Sequence, residues 1–286
     1  MRTAEAFRRR YGPWALVAGG SEGLGAAFAR AAAARGLNVL LAARRRPALE
    51  EAAAALRRAH GVEVRVAAVD LAARGGAAEL LGAAAGLEVG LLVTSAALSP
   101  ISPFLDLEPA EVEAMLDLNC RTPALLARAL GPAMRARGRG GIVLLGSLAG
   151  LQGAALVAHY AATKAYLRTL GEGLWAELRP DGVDALAVCA GPVRTPTFAR
   201  SAARLAGPLA PPVMDADVVA AESLAALGRR PAVIPGRRNR VGAFLTTRLL
   251  PRRTAVALIS TAIRAMYPAS GRPGSRPSPG RAARDG

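Results

Sequence analysis

The chain has 286 residues, 52% of them apolar and only 4% aromatic, so one large domain or two small ones must build a core from Ala, Leu and Val. A formal net charge of +16 points first to nucleic acid, but the charge is localised. Residues 229–286 hold 13 arginines against the single acid Asp285, whereas the first 228 residues carry 24 basic and 20 acidic side chains. That pattern fits a balanced globular part with a basic, solvated Arg/Pro/Gly tail, and nucleic acid is not the expected partner. Peripheral contact of the C-terminal part with an acidic partner or an anionic membrane surface is the alternative.

The start, residues 1–10, is basic and lacks the apolar segment of a secretory signal, and the apolar stretch 254–263 is too short to span a bilayer. Short apolar runs then alternate with longer Ala/Leu/Arg stretches. A first strand, Trp14–Ala18, runs into Gly19-Gly20-Ser21-Glu22-Gly23-Leu24-Gly25 and an alanine-rich helix ending near Arg35-Gly36. A second strand, Asn38–Ala43, closes at Arg44-Arg45-Arg46-Pro47, where proline opens the next helix. Strands follow at 62–69, ending at Asp70, and at Val89–Thr94, ending at Ser95-Ala96-Ala97. A helical region containing Pro109, Asn119 and Pro123 reaches Arg137. A strand at 141–145 ends at Gly146-Ser147, and a helix at Ala158–Leu178 carries Tyr160 and Lys164. A sixth strand at 185–189 ends near Gly191-Pro192. Residues 193–212 read as a mobile lid, 216–227 as a helix and 232–235 as a short last strand.

This βα alternation predicts an α/β fold, one doubly wound parallel sheet of about seven strands between two helical layers. The expected organisation is a catalytic domain at 1–236, a helical extension at 237–268 and a low-complexity, disordered tail at 269–286. Cys120 and Cys189 lack CxxC spacing and read as reduced structural thiols of a cytoplasmic protein. No His, Cys, Asp or Glu grouping has metal-ligand spacing, so no metal is expected.

A glycine cluster on the first strand-to-helix junction gives a tight turn and presents helix N-terminal amides to a pyrophosphate, as in dinucleotide sites. Where an acid at the end of the second strand would hold a ribose 2′-hydroxyl, this chain has Arg44, which suits a 2′-phosphate and hence NADP(H) over NAD(H). The competing reading is the chain's general excess of arginine. Asp70 either meets the adenine edge or caps the following turn. Tyr160 and Lys164, four residues apart, share one helix face. Lys164 is the only lysine in the chain, so the spacing implies a compact ammonium that lowers the phenol's pKa and makes it an acid/base. Ser147 ends a neighbouring strand, where its hydroxyl can reach a carbonyl oxygen beside that phenol.

Over residues 14–236 the chain resembles the short-chain dehydrogenase/reductase family. The likeness rests on Gly19/Gly23/Gly25, Asp70, Asn119, Ser147, Tyr160-x-x-x-Lys164 and Gly191-Pro192-Val193-x-Thr195 in family order. It implies a Rossmann-type domain in which Tyr160 is the proton donor, Ser147 orients the carbonyl, Lys164 binds the nicotinamide ribose, and Asn119 holds a relay water. The implied cofactor contacts are Gly19, Ser21, Glu22, Gly23, Leu24, Gly25, Arg44, Asp70, Leu71, Ser95, Ala96, Tyr160, Lys164, Gly191, Val193 and Thr195. A homodimer or tetramer through the helices at 119–137 and 160–178 is also implied. Ala18, Thr94-Ser95-Ala96-Ala97 and Ala190 depart from the usual Thr, Asn-Asn-Ala-Gly and Pro. The pattern 30–39 together with 191–195 is similar to ketosteroid and long-chain 3-ketoacyl reductases, which implies a hydrophobic ketone. The rival readings are a cofactor-binding protein without turnover, and a membrane-surface or nucleic-acid binder acting through the basic C-terminal part.

Overall fold

The computed structural model describes residues 3–201, 203 and 211–268. Seven strands form one sheet: β1 Trp14–Ala18, β2 Asn38–Ala43, β3 Val64–Ala68, β4 Val89–Thr94, β5 Gly140–Leu145, β6 Val183–Val188 and β7 Ala232–Val233. All neighbours pair parallel, in the order β3-β2-β1-β4-β5-β6-β7. The chain order therefore reverses between β1 and β4, and the crevice beyond the carboxyl ends of those two strands is where an open α/β sheet binds its ligand.

The helices are α1 Ala4–Tyr11, α2 Gly23–Ala33, α3 Arg46–His60, α4 Gly76–Ala83, α5 Pro109–Leu116, α6 Thr122–Ala136, α7 Ala158–Leu178, α8 Pro196–Arg200, α9 Ala216–Ala226, α10 Arg237–Phe244 and α11 Arg252–Met266. Strands β1, β4, β5 and β6 are buried along their whole length, as strands covered on both faces must be, and this explains why they are apolar throughout except for Asp184 of β6 and Thr94 at the end of β4. Alternate residues of β1 serve different layers. Ala15 and Val17 join a core that includes Phe28, Leu49 and Leu224 from α2, α3 and α9. Trp14, Leu16 and Ala18 join a second core with Leu80, Leu126 and Leu167 from α4, α6 and α7.

The expected and observed bounds of β1, β2, β4 and α7 coincide. Four strands differ at their ends: the third spans Val64–Ala68 rather than 62–69, the fifth begins at Gly140 rather than at 141, the sixth spans Val183–Val188 rather than 185–189, and the last is only two residues long. The sequence pattern does not predict the helices α1 and α4. Helix α1 is polar by sequence and is held by a buried acid: Asp184 of β6 accepts from Tyr11 Oη at 2.6 Å and from Arg10 Nε at 2.7 Å. No local pattern announces such a long-range anchor. In the lid segment a short helix, α8, is present, while residues 202 and 204–210 of that segment and the tail expected at 269–286 lie outside the described residues.

Candidate active site

The glycine-rich turn is built by contact rather than by flexibility alone. Gly19 has φ +94°, and a Cβ there would lie 2.3 Å from the amide nitrogen of Ala96. A Cβ on Gly25 would lie 1.9 Å from the Gly19 carbonyl oxygen, so the first turn of α2 sits directly on the loop leaving β1. This aims the N-terminal amides of α2 into the crevice between β1 and β4. Glu22 precedes α2 and ties two other segments to it, pairing with Arg45 at 2.8 Å and with Arg200 of α8 at 2.7 Å. The hydrogen bond from Arg200 is the main reason its carboxyl sits below the usual carboxylate range. Gly23 lies against Thr195, whose hydroxyl caps α8 by accepting from Phe198 N at 3.1 Å.

The loop after β4 is held by its own backbone. Ser95 N and Ala96 N both donate to the Ala18 carbonyl, at 2.7 and 2.9 Å, so the loop pairs with the end of β1. The buried Thr94 hydroxyl has no hydrogen-bond partner among the described residues. Arg44 stands exposed just beyond β2 and makes no ion pair or hydrogen bond among the described residues. Asp70 caps the turn after β3, accepting from Ala72 N at 3.0 Å. On the other side of the crevice, Val193 bridges Met214. Gly191 is covered by Asn239 of α10 so closely that a Cβ would meet its Nδ2 at 2.7 Å.

Ser147, Tyr160 and Lys164 converge at the carboxyl end of β5. The Ser147 Oγ accepts from Ala149 N at 3.1 Å, which occupies a lone pair and leaves its O–H to donate. Lys164 is buried; its Nζ donates to the Leu145 carbonyl at 2.8 Å and lies 5.7 Å from the centre of the Tyr160 ring. That carbonyl is its one hydrogen-bond acceptor among the described residues, so two N–H donors remain for a bound group. Desolvation brings the Lys164 pKa down to about 8, with Cys120 opposing.

The expectation that Lys164 lowers the Tyr160 pKa is corrected. The phenol stands above its ordinary value because burial disfavours phenolate; Ser147 pulls it down, Tyr267 pushes it up, and Lys164 is not among the groups that move it. The ammonium is itself desolvated and spends a donor on Leu145, so the spacing of four residues brings the pair together without the expected electrostatic gain. Asn119 lies in a π turn at Asp117–Arg121 and is fully buried. Its Oδ1 accepts from Leu98 N at 2.9 Å, and its Nδ2 donates to Leu98 O at 2.9 Å and to Thr163 Oγ1 at 3.0 Å. The side chain thus joins the loop after β4 to α7 one residue from Lys164. His159 is half-buried, with Nε2 3.1 Å from Val112 O, and faces Phe104 rather than the phenol.

Sequence reasoning missed what the extension brings. The Ser260 hydroxyl of α11 accepts from Ala155 N at 3.0 Å, Arg252 donates to Leu151 O at 3.2 Å, and Tyr267 is close enough to act on Tyr160. Helix α11 thus rests on the segment between Ser147 and Tyr160. The single polar residue in the apolar run 255–260 was the available signal. The fit to a dinucleotide is good on these observations: a turn that only glycine can form, two unspent donors on Lys164 and an uncommitted guanidinium beyond β2.

The crevice at the strand reversal, the glycine turn and the Ser-Tyr-Lys set together define an oxidoreductase of the nicotinamide-dependent kind. The sequence model of the short chain dehydrogenase family matches residues 13–205, and the chain belongs to that family of dehydrogenases and reductases. More particularly, it is 33% identical over 234 residues to a 7beta-hydroxysteroid dehydrogenase of Clostridium sardiniense, covering 82% of this chain and 89% of that one. It is 35% identical over 185 residues to a very-long-chain 3-oxoacyl-CoA reductase of Podospora anserina, of which the match covers 54% and of this chain 62%. Among solved structures, one of a 7beta-hydroxysteroid dehydrogenase superposes with a TM-score of 0.83 at 26% identity, covering 88% of this chain and 98% of that one. A short-chain dehydrogenase from Sphingobium yanoikuyae in complex with NADPH gives 0.71 at 29% identity, covering 78% and 87%.

Proposed function

We propose that the protein is an NADP(H)-dependent reductase of a bulky hydrophobic ketone, steroid-like or acyl. The observation that carries this reading is the Ser147–Tyr160–Lys164 cluster at the carboxyl end of β5, with Ser260 of α11 and Tyr267 just beyond that helix closing one side. The bound nicotinamide supplies or accepts the hydride. Tyr160, a phenol that burial holds above its ordinary value, donates its proton to the carbonyl oxygen as that oxygen gains charge. The Ser147 O–H stabilises the same oxygen. Lys164 holds the ribose hydroxyls with its two unspent donors. Asn119 keeps Lys164 and the β4 loop in register through Thr163 and Leu98, which leaves its backbone rather than its amide for the water relay. Gly19, Ser21, Glu22, Gly23, Leu24 and Gly25 line the pyrophosphate; Asp70, Leu71, Ser95 and Ala96 the adenosine side; and Gly191, Val193 and Thr195 the nicotinamide side.

Arg44 is the reason for choosing NADP(H), and the NADPH-bound neighbour supports the choice. The hydrophobic substrate is supported by the steroid and ketoacyl names of the relatives and by Phe104, 50% exposed beside His159. Residues 1–236 form the catalytic unit, and within the extension 237–268 it is Ser260 and Tyr267 that complete its pocket. Exposed Leu125 of α6 and Tyr166 of α7 support assembly of a dimer or tetramer through those helices, and the two unpaired cysteines support a reducing, cytoplasmic setting.

The test is oxidation of NADPH and of NADH against a panel of steroid, 3-ketoacyl and small ketones, with Arg44→Ser alongside. Turnover on bulky ketones with NADPH, and a preference for NADPH that falls about tenfold or more in Arg44→Ser, is the expected result. Cofactor binding with no turnover on any ketone refutes the enzyme reading.

A further inference from the structure

Helix α10 runs on into a π turn, Leu245–Leu249, and this element has two different faces. One is docked: Asn239 and Ala243 are buried, and Asn239 Nδ2 donates to the Pro235 carbonyl at 3.1 Å. The other carries Val241, Phe244, Leu245 and Leu249, which are 52%, 56%, 45% and 61% exposed. Spacings of three, four and eight residues from Val241 place all four on one side of a helix. Four large apolar side chains grouped on a helix and left in water are a recognition surface rather than ordinary scatter.

The charge around this face indicates what covers it. Residues 237–268 contain seven arginines and no aspartate or glutamate, and all seven arginines are exposed. Arg237 and Arg238 lie one turn before Val241, Arg248 sits between Leu245 and Leu249, and Arg252 and Arg253 follow. Only Arg240, bonded to Glu222 at 3.2 Å, and Arg252, on Leu151, have partners among the described residues. A second copy of the chain would set one such cationic field against another, and so would the chain's own residues 269–286, which add four arginines and one acid. A nucleic acid satisfies the guanidiniums but leaves the phenylalanine and leucines unused. A bilayer containing anionic phospholipid satisfies both, with the apolar side chains below the headgroups and the guanidiniums on the phosphates. No helix among the described residues is long and apolar enough to cross a membrane, so the element would lie on the surface.

We propose that the exposed face of α10 and its π turn docks the protein peripherally on anionic phospholipid membranes. The full chain should be sedimented with vesicles of phosphatidylcholine alone and of phosphatidylcholine mixed with phosphatidylglycerol. Binding is expected on the mixed vesicles only, weakened about tenfold or more at roughly 0.5 M salt. Phe244→Ser with Leu249→Ser, and separately Arg237→Gln with Arg238→Gln, should each cut it about tenfold while thermal melting and reductase turnover stay as in the parent. Equal sedimentation on both vesicle types, or unchanged binding by both variants, overturns the proposal. So does light scattering that shows the Phe244/Leu249 variant falling to a smaller oligomer, because the face is then covered by a second copy. Duplex DNA binding lost in the arginine variant, with no vesicle binding by the parent, overturns it in favour of nucleic acid.

Discussion

Gly25→Ala tests the architecture of the cofactor turn through a single methyl group. The added Cβ would stand 1.9 Å from the Gly19 carbonyl oxygen and 3.2 Å from the Ser95 Cβ, where ordinary contact begins at 3.4 Å. The obstructing atom is backbone, so the clash is relieved only if the first turn of α2 withdraws by about 1.5 Å. Helix α2 packs Ala27, Phe28, Ala29 and Ala32 into the core with no exposed surface, and such overpacking costs about 1–3 kcal/mol. A 1.5 Å retreat also stretches a charge-assisted hydrogen bond from the N-terminal amides to a phosphate beyond its useful range. Losing one such bond, worth about 1.5–3 kcal/mol, weakens binding about 10- to 150-fold. The assay is a fluorescence titration of NADPH together with a thermal melt. The expected result is a dissociation constant raised within that range and a lower melting temperature. A variant that binds NADPH as the parent does, with an unchanged melt, would refute the claim that α2 is seated on Gly19 and that its terminus holds the pyrophosphate.

Three further outcomes follow from the same geometry. Tyr160→Phe removes the proton donor but keeps the ring that packs beside Lys164, so turnover should fall about 10²- to 10⁴-fold while NADPH affinity stays within twofold; an active Phe variant rules out this donor. Lys164 is held at about 8 in the folded protein against an ordinary 10.5, so between those values the unfolded chain binds more protons and stability rises with pH. Lys164→Met should lose that rise, a difference of up to about 3 kcal/mol in urea unfolding between pH 7.5 and 10.5, and parallel pH dependences for parent and variant contradict the burial argument. Ser260→Ala orphans the Ala155 amide and should cost about 1–3 kcal/mol in denaturant unfolding, with KM for bulky ketones raised more than KM for small ones; an equal effect on both would mean that α11 stabilises the fold without shaping the pocket.

The sequence by itself determined the sheet and the identity of the reacting groups, because both are written in short-range patterns. Continuous apolar runs of five or six residues such as Trp14–Ala18 and Val89–Thr94, closed by Gly19 and Ser95, read as strands buried on both faces. The glycine spacing marks a backbone turn, and Tyr160 and Lys164 lie together through helical spacing alone. The relation between those groups was decided by tertiary structure. Burial outweighs the nearby ammonium at Tyr160, since desolvation depends on everything packed around a side chain and not on its neighbour four residues away. Asn119 spends its amide on Leu98 and Thr163, and Asp184 anchors a helix whose sequence is polar. The extension beyond Gly236, which its sequence marks only as helical and basic, places Asn239 over Gly191 and Ser260 under the segment before Tyr160. These are contacts across 48 and 105 residues, set by how separate elements stack, and no local period can carry them.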